Sequence, residues 1–139
     1  MKKLFFPIFL GLSLFAMACV DSVSTSSQGG KQTTIIENVD VDMFKSLIAK
    51  NNGQIIDVRT PNEWATGIIK GAYKFNIFED TFEKNINMLD KKKPVYVYCK
   101  SGGRSAKAAK KMKELGFQKI YNLKGGMNAW KQANNYTIK

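Results

Sequence analysis

The chain has 139 residues, with 22 Lys and Arg against 11 Asp and Glu, a formal charge of +11. That length accommodates one domain with its own core. The positive excess suits a membrane surface or small anions, and without any DNA- or RNA-reading motif it argues against a nucleic-acid partner.

Met1-Lys2-Lys3 is a basic start, and Leu4 to Ala18 is an apolar run broken only by Pro7, Gly11 and Ser13. Such a run is short for a spanning helix and fits the apolar region of a secretory leader. It ends in Ala16-Met17-Ala18-Cys19, which resembles the lipobox of bacterial lipoproteins. The resemblance implies diacylation of Cys19 through sulfur and an exported chain, anchored at the periplasmic face of a membrane or at the cell surface. An ordinary cleaved leader or an uncleaved anchor are the competing readings. Val20 to Thr34 is rich in Ser, Thr, Gln and Gly and has almost nothing to pack, as in a flexible tether. The expected organisation is therefore a leader over 1–18, lipidated Cys19 and tether over 19–34, and one domain over 35–139.

Within the domain, Thr34 to Glu37 is a short strand candidate. Asp40 is placed to cap an amphipathic helix with Val41, Phe44, Leu47 and Ile48 on one face, ended by Asn51-Asn52-Gly53. Gln54 to Val58 reads as a strand, with Asp57 and Arg59 at its carboxyl end. Pro61 then suits the first position of a short helix, with Thr60 as cap and Trp64 facing inward. Asp57 and Arg59 are expected to be ion-paired supports for the loops above, with Glu63 as a candidate partner for Arg59; ordinary surface charge is the alternative. A strand near Tyr73 to Asn76 follows. The spacing of Phe78, Phe82, Ile86 and Leu89 predicts a helix over 78–89 whose aromatic stripe faces the core.

Val95-Tyr96-Val97-Tyr98, entered through Pro94, reads as a buried strand. It stops at Cys99-Lys100-Ser101-Gly102-Gly103, and from Arg104 an alanine-rich helical pattern runs to Gly116. A thiol thus stands where a strand turns into a helix, the rim at which open α/β sheets bind ligands. The two glycines allow the main chain to curl its N–H groups inward as an anion nest. The helix start adds unpaired N–H groups, and Lys100 and Arg104 add full charges. Such surroundings favour a thiolate. A small buried hydrophobe is the bland alternative for a lone cysteine. Lys119 to Asn122 makes a last strand, and Gly125-Gly126 opens a final helix through Trp130 that packs on the sheet.

The chain resembles the rhodanese family of sulfurtransferases at these residues. Cys99 to Ser105 matches the active-site loop of that family, with four residues between Cys and Arg. Ile55 to Trp64 matches its first signature, and Leu123 to Trp130, after Gly116-Phe117, its closing one. The resemblance covers about residues 35–133. One position departs from it: the family commonly has His where this chain has Ile68, and the chain contains no histidine at all. No step can therefore use an imidazole base.

The resemblance implies an α/β fold, a single domain with a parallel sheet of about five strands and helices on both faces. It also implies covalent catalysis by Cys99, whose thiolate takes the outer sulfur of thiosulfate or a persulfide and passes it to a thiophilic acceptor. Lys100, Ser101, Gly102, Gly103, Arg104 and Ser105 would bind the substrate, with Lys100 and Arg104 recruiting an anionic sulfur donor. The acceptor would be a thiol or a protein cysteine. No cofactor and no metal is expected, and the protein is expected to act as a monomer. Two other classes fit less of the pattern. One is a non-catalytic persulfide carrier or docking module; the other is a Cys-dependent phosphatase or arsenate reductase, whose loop is longer by one residue.

Overall fold

The computed structural model describes residues 33–139, so the expected leader over 1–18, the expected lipid site Cys19 and the expected tether as far as Gln32 lie outside the described residues. Strands and helices alternate: β1 (Ile35–Val39), α1 (Val41–Ala49), β2 (Gln54–Asp57), α2 (Pro61–Trp64), β3 (Tyr73–Lys74), α3 (Phe82–Asn87), β4 (Val95–Tyr98), α4 (Gly103–Glu114), β5 (Lys119–Leu123) and α5 (Gly126–Gln132). All strand pairs are parallel, in the order β1-β5-β4-β2-β3. The expected α/β architecture is present.

β4 occupies the middle of that order, and its four residues Val-Tyr-Val-Tyr are all buried. β-Branched and aromatic side chains suit a strand covered on both faces. Alternation sends Val95, Val97 and then Cys99 into one core, with Phe82 and Ile86 of α3 and Ala108, Ala109 and Met112 of α4. It sends Tyr96 and Tyr98 into the other, with Phe44 of α1 and Met127 and Trp130 of α5. Helices therefore cover both faces. Each fully buried Val, Ile, Phe or Met side chain among them contributes about 1.5–3 kcal/mol.

α1 begins as its sequence predicts, because Asp40 accepts a hydrogen bond from the Met43 N–H at 2.9 Å. Phe44 is its one fully enclosed residue, meeting Tyr96 and Trp130 edge-on at 6.1 and 6.3 Å between ring centroids.

Three expectations need correction. β1 runs two residues further than expected, to Val39, because it pairs with β5 along its whole length. β3 is only Tyr73–Lys74; past it, Phe75 and Ile77 donate instead to the carbonyls of Asp57 and Val58. The helix expected over 78–89 covers only Phe82–Asn87, and Phe78 is 70% exposed rather than part of the core. Asn76 accounts for this last difference. Its side-chain oxygen takes the Phe78 N–H at 3.1 Å, and its carbonyl takes the Glu79 N–H, a local turn that competes with helix formation.

The end of the chain folds back, with Ile68 and Ile138 exchanging main-chain hydrogen bonds of 2.7 and 2.9 Å. Ile68 stands where the resemblance would put a histidine. Among the described residues, no helix is long and apolar enough to cross a membrane.

Candidate active site

The loop from Cys99 to Gly102 closes at the carboxyl end of the central strand. Gly102 takes φ +102, a left-handed conformation that L side chains rarely adopt, and α4 starts at Gly103. Only one of the two glycines therefore supplies the unusual turn. It folds the Gly102 N–H back onto the Cys99 sulfur at 3.0 Å. Ser105, in the first turn of α4, sets its hydroxyl 3.4 Å from the same sulfur and 3.1 Å from the Gly102 carbonyl, so one proton is shared between them.

Cys99 and Ser105 are both buried. Burial by itself would push the thiol up. Hydrogen bonds from the Ser105 hydroxyl and from the main-chain N–H groups of Ser105, Gly102 and Ser101 outweigh it, so the thiol titrates below its ordinary value. The pattern is that of an anion nest closed by a helix start. It favours the nucleophilic form of sulfur without an external base.

A prediction arises here. Ser105→Ala removes the only side-chain hydroxyl on the sulfur, so the midpoint of the pH profile for Cys99 alkylation moves upward. At neutral pH the alkylation rate by iodoacetamide falls roughly three- to tenfold. An unshifted profile would show that the main-chain N–H groups alone set the thiolate.

The loop is held from behind by the start of α5. The N–H groups of Met127 and Asn128 donate to the carbonyls of Cys99 and Lys100 at 2.8 and 3.0 Å. Asn122 of β5 adds a contact of 3.4 Å from its side-chain nitrogen to the Gly102 carbonyl, and the same nitrogen reaches Asn38 Oδ1 at 2.8 Å.

Arg104 lies over the mouth of the loop. Its Nη1 and Nη2 donate to the two carboxylate oxygens of Glu63 at 2.8 and 2.7 Å. The guanidinium also lies 5.8 Å from the centre of the Phe78 ring. Glu63 is fixed in turn by the N-terminus of α2, since its Oε2 accepts from the Thr60 N–H at 3.1 Å and the Thr60 hydroxyl at 2.9 Å. The Arg104 guanidinium holds the Glu63 carboxyl at about 2, against burial and with help from Thr60. That lies below the ordinary carboxyl value of 4.5, so the pair's contribution to stability is complete above 4.5 and is lost as pH falls from there through about 2.

Asp57 and Arg59 are ion-paired as expected, but Arg59 does not take the candidate carboxylate of Glu63. Instead its Nε and Nη2 bind the Asp57 carboxylate at 2.6–3.0 Å, and it reaches Glu63 only through the main-chain carbonyl, at 3.2 Å. Asp57 is fully buried and Arg59 is 2% exposed. The proximity of residues 57 and 59 along one strand end lets a single carboxylate satisfy both the Arg59 side chain and its N–H. Nη2 also holds the Gly67 carbonyl at 2.8 Å, tying α2 to the chain that follows it. Trp64 is half-buried, with the Lys74 ammonium 5.9 Å above its ring.

Lys100 is exposed and lines a small cleft of about 190 Å³ with Glu63, Thr66, Met127, Asn128 and others. A larger cavity of about 820 Å³ lies among the starts of β2 and β3, Trp130 and Tyr136. No residue of the 99–105 loop lines it.

Residues 40–133 match the family model described as "Rhodanese-like domain". The chain belongs to the rhodanese-like domain family. It is 38% identical over 99 residues to the uncharacterized protein YqhL of Bacillus subtilis, covering 71% of this chain and 75% of that one. It is 33% identical over 98 residues to the thiosulfate sulfurtransferase GlpE of Shewanella oneidensis, covering 70% of this chain and 95% of that one. Among solved structures, a rhodanese-like domain protein from Staphylococcus aureus superposes with a TM-score of 0.60 at 34% identity, covering 68% of this chain and 90% of that one.

Within this rhodanese-like domain Ser101, Gly102, Arg104 and Ser105 of the predicted loop gather around the Cys99 sulfur, whereas Lys100 is exposed and lines the small cleft. Gly102 and Ser105 touch it, Arg104 flanks it, and Gly103 serves as the first helical residue. Three participants escaped the sequence reading: the carboxylate of Glu63 as partner of Arg104, Phe78 at the rim, and Gly126 behind the loop. Glu63 and Arg104 each stand just past the end of a strand, and β2 and β4 are neighbours. Knowledge of the strand order would have brought them together.

Proposed function

We propose that this rhodanese-like domain is a sulfurtransferase that works through a Cys99 persulfide. The observation that carries the reading is the Cys99 sulfur at the centre of an N–H- and hydroxyl-lined loop, with its thiol held below the ordinary value. In the first half-reaction the thiolate attacks the outer sulfur of a sulfane donor. The donor's S–S bond breaks, its inner group leaves with the electron pair, and Cys99 keeps the outer sulfur as a persulfide. In the second, a thiol or protein cysteine attacks that sulfur and restores the Cys99 thiolate. Loop N–H groups hold the thiolate in one state and the terminal sulfur in the other. No histidine is needed, because the loop itself stabilises the anion.

The kinship with a protein named thiosulfate sulfurtransferase supports the reaction class. The lipobox-like Ala16-Met17-Ala18-Cys19 supports an exported setting in which Cys19 carries lipid and the domain works on the outer side of a membrane.

Intact mass spectrometry of the full chain tests both. Incubation with a sulfane donor is expected to add one sulfur atom that cyanide removes, in wild type and not in Cys99→Ser. Absence of that mass with Cys99 shown to be reduced would overturn the sulfurtransferase reading. The chain isolated from bacterial membranes is expected to carry lipid mass at residue 19; an unmodified residue there would sink the anchor.

A further inference from the structure

The chain contains two arginines, Arg59 and Arg104, and each is bound to a carboxylate. No guanidinium near Cys99 is therefore left uncompensated for the sulfonate oxygens of a donor. We infer that Glu63 sets the donor class of the site: by holding Arg104 in a neutral pair, it turns the loop away from oxyanion donors such as thiosulfate and toward sulfane sulfur carried on an organic thiol. This rests on the sulfurtransferase reading.

Three observations carry it. The Glu63–Arg104 contact is bidentate, at 2.7 and 2.8 Å, the geometry in which a guanidinium is most firmly held. The carboxylate is also anchored from its other side by the Thr60 N–H and hydroxyl, so the pair is fixed at the mouth. A dianionic donor approaching the sulfur meets a pair with no net charge, and a departing sulfite dianion gains little from a cation already neutralised. The third observation is Phe78. Its ring lies beneath the Arg104 guanidinium and is 70% exposed, an apolar face at the rim with no core to fill. Such a face suits the hydrocarbon part of an organic donor and offers nothing to thiosulfate.

The step balances without a further reactant. The Cys99 thiolate attacks the outer sulfur of R–S–SH, and a new S–S bond forms as the old one breaks. The outer sulfur keeps its proton, and RS⁻ leaves with the electron pair and takes a proton from water. The leaving group carries one negative charge, where sulfite carries two.

The test follows persulfidation of Cys99 in the full chain by quenched mass spectrometry, with thiosulfate and benzyl hydropersulfide as donors. The readout is the ratio of the two second-order rate constants within each variant, which a general loss of packing would not move. Glu63→Gln keeps the side-chain size and removes the charge. It is expected to shift the ratio toward thiosulfate by about tenfold, since removing the carboxylate leaves the Arg104 charge beside the sulfur uncompensated. Phe78→Ala is expected to shift the ratio in the same direction by about fivefold, by slowing the hydropersulfide arm. Phe78 is a surface residue, so this second variant decides the matter if Glu63→Gln does not fold. An unchanged ratio in the folded variants would overturn the donor inference and leave the sulfurtransferase reading standing. Persulfidation by neither donor in wild type would overturn both.

Discussion

Replacing Asp57 by alanine is expected to cost the domain about 3–5 kcal/mol, the loss typical of stranding one member of a buried ion pair. Arg59 is 2% exposed and Asp57 fully buried, so neither can recover its lost partner from water. The Arg59 Nε and main-chain N–H lose their acceptor together, and Nη2 is left with the Gly67 carbonyl alone. Burial works against the Arg59 charge, and the hydrogen bonds and charge of Asp57 outweigh it, so its pKa is raised in the folded domain. Against a total stability of about 5–15 kcal/mol for an ordinary domain, this single change brings the fold near its limit. Urea unfolding followed by circular dichroism would measure the loss from the shift in midpoint. The double variant Asp57→Ala with Arg59→Met removes the stranded charge and is expected to regain part of that loss. A loss below about 1 kcal/mol for Asp57→Ala would mean that water reaches Arg59, in contradiction of its burial.

Replacement of Gly126 by alanine is expected to damage both the loop and the fold. The φ of Gly126 is +55, and a Cβ built there would lie 2.4 Å from the Cys99 carbonyl oxygen and 2.7 Å from the Lys100 carbonyl carbon. Both are main-chain atoms, so no flexible side chain can yield. The same carbonyls accept the Met127 and Asn128 N–H groups, and a displaced α5 would release them. Gly126→Ala must therefore move the loop or the helix, and a displacement of about 1 Å at a reacting group costs on the order of a hundredfold in rate. The expected result is a persulfidation rate at least about tenfold lower, with a lower melting temperature. Gly103→Ala is the contrast: nothing lies within 4 Å of its Cβ position, and the residue is helical. Its effect on stability is expected to stay within about 1 kcal/mol. If the two variants melted and reacted alike, the close approach at Gly126 would have no consequence.

These expectations share one architectural origin. The sulfur sits at the end of the most buried strand, and the loop around it is gripped by three elements that are separate in sequence. α4 adds the Ser105 N–H and hydroxyl to the N–H groups of the loop, α5 holds the loop carbonyls, and α2 presents Glu63 to Arg104. Arg59, paired with Asp57, sits beneath α2 and donates to the Glu63 and Gly67 carbonyls. Damage to that buried pair should therefore reach the mouth of the site through α2, without any direct contact with sulfur.

Features set by neighbours in the chain could be read directly from the sequence. The Asp40 cap depends on residues three apart, and the β4 strand on a short β-branched and aromatic run. The cysteine loop was legible for the same reason, since its donors lie within six residues of the sulfur. Even there, Ser105 was read as a substrate-binding residue rather than as a donor to the thiol. Phe78 misled, because a helical spacing of apolar residues cannot show that Asn76 will spend its side chain on a turn.

The rest was decided by packing. Glu63 is a candidate partner for Arg59, four residues away, by sequence, whereas the folded chain bonds its carboxylate to Arg104, 41 positions on. Sequence separation could not reveal this, because it depends on β2 lying beside β4 and on Arg59 already being satisfied by Asp57. Gly126 looked like an ordinary helix start until α5 was seen to press its main chain against Cys99. The sequence by itself determined the cysteine loop, its N–H nest and the alternation of strands and helices, because these rest on local backbone chemistry. Only the tertiary structure decided which charges compensate one another at the mouth, because ion pairing between distant residues follows from strand order and burial.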